Sequence, residues 1–298
     1  MRSDEWTTYY DTFDYFDAGA VRDGCHPRIL TGSGSGRAVV LVHGLTDSPH
    51  YMTAIARHFH EKLGCDVYVP LLQGHGLTEP RGMEDVELDE WKTNVRYAVR
   101  CAGEGAESVS IGGLSTGGTL ATYMALTSPF VTGDLYLFSA ALDLAGGKLG
   151  ILGEIKERLL RTFLVDVFDK DAPLVGENPY RYGRMDLDGA RELSRLIKEV
   201  DDLVEGFDPN ERRSMFGRVF AAHSEADTTA DIAGIRKLER KLPADRFTSF
   251  YIPKSDNVSH ASLVLDEPIT DREGEVLEER NSQFCDMMGK LTEFVVAR

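Results

Sequence analysis

A single serine, Ser115, lies among four glycines in the stretch VSIGGLSTGGTL at residues 109–120. Gly113 and Gly117 flank it two residues away on each side, where a sharp turn from a strand into a helix leaves no room for side chains. A hydroxyl held on such a turn is exposed, and it becomes a nucleophile when a base takes its proton. The spacing indicates a nucleophilic serine. The alternative is that the glycines only allow a tight turn and that Ser115 has no catalytic role.

A carboxylate and a histidine follow Ser115 in the order that such a nucleophile requires. His260 is the only histidine C-terminal to residue 223, and it lies between the last predicted strand and the last predicted helix. Histidine titrates near neutrality, so His260 can take the serine proton and return it to a leaving group. Asp227, in the loop after a predicted strand, is the best candidate for the acid that orients the imidazole. Three other carboxylates are alternatives for that role: Glu225, Asp231 and the more distant Asp143.

Two backbone N–H groups are candidates for an oxyanion hole, which stabilises the charge that develops on the attacked carbonyl. Thr116 follows the serine at the start of a predicted helix. Leu45 lies in VLVHGLTDSP at residues 40–49, immediately after an early predicted strand. His43 in the same loop is interpreted as a structural residue and not as the base.

Strand-like and helix-like segments alternate through most of the chain. Apolar runs predict strands over residues 37–43, 66–70, 109–112, 134–139, 218–222 and 247–252. Helical spacing predicts helices over residues 53–63, 89–101 and 119–126, and a further one at the C-terminus. The helix after Ser115 is predicted to be amphipathic. Such alternation predicts the α/β class, a mostly parallel sheet flanked by helices on both faces.

The alternation stops between residues 143 and 214, where no strand is evident. Two apolar stripes replace it, one between Leu152 and Val167 and one between Ala190 and Val204. We expect a helical cap (lid) at 143–214, inserted into a core formed by 37–142 and 215–298. Residues 1–36 form an extension rich in aromatic side chains, which could add a strand or pack against the cap or a second subunit of a homodimer.

Composition narrows the class of partner. The net charge of −16 argues against nucleic acid and anionic membrane surfaces. No apolar run is long enough to span a bilayer, and the N-terminus lacks the apolar region of a signal peptide. His58 and His60 point to different faces of their predicted helix, so they do not form a simple metal site. We therefore expect a cytoplasmic protein that acts on a small molecule, with no integral membrane segment.

These motifs resemble the α/β-hydrolase superfamily, and within it the branch of bacterial carboxylesterases and monoacylglycerol lipases. The similarity covers roughly residues 37–265 and includes VLVHGLTDSP, YVPLLQGHGLT, DEWKTNVRYAV, GGLSTGG and the loops with Asp227 and His260. It implies an α/β-hydrolase fold, a small helical cap over an acyl pocket, and no cofactor. Ser115 is then the nucleophile, Asp227 the acid, His260 the base, and Leu45 and Thr116 the oxyanion donors. The chain departs from the pattern at Gln73, where proline is usual, and at Ser224, where glycine is usual.

The predicted function is hydrolysis of carboxylic esters through an acyl-enzyme intermediate. The apolar cap stripes favour lipophilic acyl groups of short to medium length, with monoacylglycerols among the candidate substrates. The same three catalytic residues would also serve a thioesterase or a peptidase. A ligand-binding or receptor protein with slow turnover is the alternative from a different functional class.

Overall fold

A seven-stranded sheet forms the centre of the computed structural model, which describes residues 4–78, 82–143, 175–184, 186–208 and 216–297. The strand order is β1-β3-β2-β4-β5-β6-β7. β1 is antiparallel to β3, and all other neighbours are parallel. The strands are β1 (Arg28–Leu30), β2 (Arg37–Val42), β3 (Asp66–Val69), β4 (Ser108–Leu114), β5 (Leu135–Phe138), β6 (Val219–Ser224) and β7 (Phe247–Ile252). The predicted α/β class with a mostly parallel sheet is confirmed.

Six α-helices accompany the sheet in the part of the chain that the structure describes. They are α1 (Thr53–Arg57), α2 (Leu88–Gly105), α3 (Thr116–Thr127), α4 (Leu187–Glu205), α5 (Ile232–Lys241) and α6 (Phe284–Val296). A 3₁₀ turn at Pro49–Met52 leads into α1, and a π-helical turn at His58–Lys62 continues it. A separate hairpin pairs β8 (Ile269–Thr270) with β9 (Val276–Glu278). Within the described ranges, no helix combines the length and apolar character needed to cross a bilayer.

Both faces of the sheet are covered, which explains why its strands read as continuous apolar runs. Val40 and Val42 of β2 point to the face that carries α2, α3, α4 and α5. Val39 and Leu41 point to the opposite face, where α1 and α6 pack. Since alternate side chains of a strand leave opposite faces, a strand buried on both sides needs apolar residues at every position.

The helix after Ser115 differs from its prediction. Nine of the twelve residues of α3 are buried, so it is a central helix and not an amphipathic one. The cause is a second layer: α4 packs against α3 and α2. The second predicted stripe, between Ala190 and Val204, lies on α4 and is buried there except for Leu203.

The first predicted stripe lies outside the described residues. The division into core and cap therefore stays a prediction, although the contacts of α4 place its apolar face on the helical layer beside the sheet.

The N-terminal extension contributes both to the sheet and to the core. Its last part forms β1, the antiparallel edge strand. Its aromatic residues Trp6, Tyr9 and Phe13 are buried and pack against Tyr97 of α2. The Tyr9 hydroxyl donates a hydrogen bond of 2.6 Å to the carbonyl of Leu71. The extension is thus part of the folded unit.

Candidate active site

Ser115 occupies a strained turn between β4 and α3. Its φ of 53° and ψ of −119° are rare for a residue with a side chain. Its backbone N–H donates to the carbonyl of Phe138 on β5, which fixes the turn. A Cβ at Gly117 would overlap the carbonyl oxygen of Val42, and one at Gly113 would lie 2.5 Å from the same oxygen. Glycine at both positions therefore allows β2 and α3 to approach the turn closely, as the sequence pattern predicts.

Asp227 and His260 are brought together from two neighbouring strand ends. Asp227 follows β6 and His260 follows β7, and Asp227 Oδ2 lies 2.6 Å from His260 Nδ1. The other carboxylate oxygen, Oδ1, accepts hydrogen bonds from the backbone N–H groups of Thr229 and Ala230 at 2.8 and 3.1 Å. The carboxylate is fully buried. It is therefore held in one orientation, with Oδ2 directed at the imidazole.

The charges of Asp227 and His260 are consistent with an acid that orients a base. Burial by itself would raise the pKa of the Asp227 carboxyl, but the charge and hydrogen bond of His260 hold that pKa below its ordinary value. Asp227 is thus an anion at neutral pH. His260 Nε2 is buried and has no hydrogen-bond partner among the described residues. That nitrogen is the one that would accept a proton from a nucleophile.

The alternative acids lie in other environments. Glu225 is about half exposed and lies 3.7 Å from Arg236. Asp231 caps α5 by accepting a hydrogen bond from the backbone of Ala233. The backbone carbonyl of Asp143 accepts a hydrogen bond from the Asp231 N–H. The described contacts of His260 favour Asp227 over all three.

The loop that carries Leu45 is fixed by two buried histidines. His43 accepts a hydrogen bond at Nε2 from the Leu72 N–H, so its Nδ1 carries the proton and donates to the Gly44 carbonyl. His75 Nε2 lies 2.5 Å from the Leu45 carbonyl oxygen. Burial lowers the pKa of both imidazoles, that of His75 to about 4, so both are neutral at pH 7. His43 is therefore occupied in shaping the loop, in the structural role that the sequence indicated.

The second proposed oxyanion donor is Thr116, the first residue of α3. The first N–H groups of a helix have no intrahelical acceptor, and the helix dipole favours negative charge there. Leu45 and Thr116 are both buried. A backbone donor at the start of α3 and a second on the fixed loop are the two parts of the predicted oxyanion hole.

A partly buried ionic network adjoins this loop, and the sequence did not reveal it. Arg181 Nη2 lies 3.3 Å from Asp47 Oδ1, and Arg181 Nη1 donates to Glu278 Oε1 at 2.8 Å. Glu278 Oε1 also accepts hydrogen bonds from the Tyr51 hydroxyl and from Asn178. Asp47 lies within the loop motif at residues 40–49, but its partners are distant in the chain, so no spacing pattern predicts them.

The sequence profile of the alpha/beta hydrolase family matches residues 39–272, from β2 to beyond His260. The chain belongs to this family. The α/β-hydrolase fold explains why the turn with Ser115 and the loops with Asp227 and His260 all follow parallel strands, since these loops meet at one edge of the sheet.

Two curated relatives carry activities in their names. The chain is 34% identical over 115 residues to a thermostable monoacylglycerol lipase from Bacillus sp. strain H-257, a match that covers 39% of this chain and 45% of the relative. It is 29% identical over 103 residues to a carboxylesterase of Bacillus subtilis strain 168, covering 35% and 42% of the two chains. The chain thus matches less than half the length of each of these relatives.

Solved structures resemble this α/β-hydrolase over nearly its whole length. One of the two metagenome-derived lipolytic enzymes LipS and LipT aligns with a TM-score of 0.67 at 18% identity, covering 93% of this chain and 100% of that one. A monoacylglycerol lipase of Paleococcus ferrophilus aligns with a TM-score of 0.63 at 18% identity, covering 91% and 98%. At such identities the likeness concerns the fold.

Proposed function

We propose that this α/β-hydrolase is a serine carboxylesterase that hydrolyses lipophilic esters through an acyl-enzyme. The observation that carries the proposal is the buried Asp227–His260 pair, 2.6 Å apart, whose outer nitrogen is unpartnered among the described residues. It accompanies a serine held at a positive φ on the strand-to-helix turn. An oriented base together with a serine on a strand-to-helix turn is the arrangement of acyl-transfer catalysis.

The proposed reaction has two halves. In the first, His260 Nε2 takes the Ser115 proton while Oγ bonds to the ester carbonyl carbon, and the N–H groups of Leu45 and Thr116 stabilise the oxyanion. The carbon–oxygen bond to the alcohol then breaks, and His260 protonates the leaving alcohol. In the second half, His260 takes a proton from water, the hydroxide bonds to the acyl carbon, and Ser115 leaves with the proton restored. No cofactor takes part.

The ester class rests on the relatives and on the sequence pattern. The names of the two Bacillus relatives, a monoacylglycerol lipase and a carboxylesterase, favour esters over amides and thioesters. The sequence pattern of the first apolar stripe, between Leu152 and Val167, favours acyl groups of short to medium length. Monoacylglycerols of such acyl groups are therefore the first natural substrates to test.

The deciding measurement is steady-state hydrolysis of p-nitrophenyl esters of increasing chain length, for wild type and Ser115→Ala. We expect a preference for one chain length in wild type, and a loss of roughly 10³-fold or more in kcat in the variant. Ser139→Ala is the matched control. Ser139 also has a positive φ, directly follows the neighbouring strand β5, is fully buried, and has no hydrogen-bond partner for its hydroxyl among the described residues.

The control variant should retain wild-type turnover. Equal losses in both variants would mean that any serine change at this sheet edge disrupts the fold, and would contradict the nucleophile assignment. A wild type that binds an ester without multiple turnover would favour the receptor alternative, while turnover of amides or thioesters alone would redirect the substrate class.

A further inference from the structure

Asp47 places a second buried carboxylate beside the proposed nucleophile. Its side chain is almost fully buried. A side chain at Gly44 would overlap Asp47 Oδ2 and would come within 3.4 Å of Ser115 Cβ. Asp47 Oδ2 and Ser115 Cβ therefore border the same small space beside the Cα of Gly44. Burial raises the pKa of the Asp47 carboxyl, and the charge of Arg181 opposes that rise.

An uncompensated charge at this place would oppose the reaction that we propose. Negative charge develops on the attacked carbonyl, and a fixed carboxylate a few ångströms away would raise the energy of that state. The same carboxylate would stabilise the protonated imidazole of His260, and a protonated base cannot accept the serine proton. A hydrolase with Asp47 here needs a compensating cation.

Arg181 supplies that cation, and it also contacts the loop directly. Its Nη2 donates to Thr46 Oγ1 at 3.1 Å and lies 3.3 Å from Asp47 Oδ1. The next residue, Tyr182, donates its backbone N–H to the Thr46 carbonyl at 2.8 Å. Arginine offers several donors in a planar fork, so one side chain can engage the hydroxyl and the carboxylate together. The loop before and after Leu45 is thus held from both sides, by His75 and by the segment with Arg181.

We propose that Arg181 is a positioning residue of the hydrolytic reaction, which cancels the charge of Asp47 beside Ser115 and fixes the loop that carries the Leu45 N–H. The inference rests on the proposed function and deepens it, because it assigns a role to a residue whose polar contacts are with the loop and the β8–β9 hairpin. Glu278, the second carboxylate on Arg181, orients the guanidinium from the side of the β8–β9 hairpin.

The groups that face the two titrating centres define the expected pH effect. Asp47 is surrounded by Arg181, Glu278, Tyr51 and His260. His260 is paired with Asp227, and the buried His223 lies 3.7 Å from the same carboxylate oxygen. Of the groups named here around Asp47, Arg181 is the one that carries a positive charge throughout the neutral pH range. Its removal should therefore move the acid limb of kcat/KM to higher pH, since the free Asp47 charge favours the inactive imidazolium.

The test compares Arg181→Met with two double variants in the full-length chain. Arg181→Met leaves two carboxylates without their cation, and we expect kcat to fall roughly 10- to 100-fold with a smaller change in KM. Adding Asp47→Asn removes the charge beside the nucleophile and should restore most of kcat and the position of the acid limb. Adding Glu278→Gln instead removes only the charge that lies farther from the nucleophile, so it should restore neither kcat nor the position of the acid limb. Arg181→Lys keeps the positive charge but loses the planar fork of donors, so its kcat should lie between those of wild type and Arg181→Met.

A second readout is independent of ester turnover. A fluorophosphonate probe reacts when Ser115 Oγ bonds to phosphorus, the phosphorus–fluorine bond breaks, fluoride leaves, and the serine proton passes to His260. The labelling rates should rank the variants as kcat does, and thermal unfolding should show that every variant compared is folded.

The outcomes separate the two proposals. Equal reactivity of wild type and Arg181→Met, or equal rescue by Glu278→Gln and Asp47→Asn, would overturn the role of Arg181 while the esterase stands. A folded Arg181→Met/Asp47→Asn protein whose kcat stays at the level of Arg181→Met would also overturn the role of Arg181. A wild type that neither hydrolyses esters nor labels at Ser115 would overturn the proposed function, and this inference with it.

Discussion

Replacing Asp227 by Asn should nearly abolish turnover without changing the shape of the site. The backbone N–H groups of Thr229 and Ala230 donate to Oδ1, so the amide oxygen of the variant should stay there. The amide nitrogen then replaces Oδ2, 2.6 Å from His260 Nδ1. Since an amide N–H₂ only donates, Nδ1 must become an acceptor and the imidazole proton must move to Nε2. In that tautomer His260 cannot take a proton from the nucleophile.

The expected loss of kcat in Asp227→Asn has two causes, the missing charge of Asp227 and the reversed tautomer of His260. Opposite charges about 4 Å apart attract by about 4 kcal/mol at an effective dielectric constant near 20, which corresponds to roughly 10³-fold in rate. Asp227 and the imidazolium lie at least this close, and the carboxylate is fully buried. The reversed tautomer adds to the loss, so we expect kcat to fall by about 10³- to 10⁴-fold.

The assay is kcat for the preferred p-nitrophenyl ester, with two matched carboxylate variants from the same loop. Glu225→Gln changes a half-exposed residue near Arg236, and Asp231→Asn changes the cap of α5. Both should keep kcat within about twofold, because their side chains contact neither His260 nor the turn. A Glu225→Gln variant that loses as much activity as Asp227→Asn, or an Asp227→Asn variant that retains a tenth of wild-type kcat, would refute the assignment of the acid.

Three further predictions concern stability. Gly117→Ala places a methyl group on the carbonyl oxygen of Val42 and should lower the free energy of unfolding by about 3 kcal/mol or more in urea titrations; a variant as stable as wild type would contradict the close approach at the turn. Tyr9→Phe removes the 2.6 Å hydrogen bond to Leu71 and should cost about 1–2 kcal/mol in the same titrations, with kcat unchanged. Burial lowers the pKa of His75 from 6.5 to about 4, so the unfolded chain binds a proton in that interval that the folded protein does not. The free energy of unfolding should therefore fall as the pH is lowered from 6.5 to 4, and His75→Gln should make that fall shallower by about 3 kcal/mol over the interval; an unchanged pH slope would refute it.

The sheet was predictable because its strands are covered on both sides. The predicted strand over residues 66–70 exceeds β3 by one residue, and the one over 37–43 exceeds β2 by one residue. Glycine spacing around Ser115 likewise predicted the strained turn, since the constraint acts within a few residues. Local patterns thus carried the information for these features.

Other elements left no such pattern. β1, β8 and β9 have only two or three residues each, too few for a periodic signal. Helix α5 is half charged, with Ile235 and Leu238 as its buried apolar side chains, so no wide apolar stripe marks it. The amphipathic prediction for α3 was wrong because a second helical layer, which local spacing does not encode, covers its outer side.

The ionic network was beyond sequence analysis for a different reason. The contact between Arg181 and Thr46 joins residues 135 apart in the chain, and that between Arg181 and Glu278 joins residues 97 apart. Each charged residue by itself resembles a solvated surface residue. Only the fold shows that they lie together beside the loop with Leu45.

The position of Arg181 also bears on how the protein gains activity as it folds. Contacts between distant parts of a chain are slow to form, because the entropy of closing a long loop is lost before the contact rewards it. The loop with Leu45 is therefore expected to take its final shape after the parallel strands have paired, when the β8–β9 hairpin docks. During refolding, helical and sheet structure should return before catalytic competence. A nascent chain that ends before Glu278 would carry the complete serine turn and still be a poor catalyst.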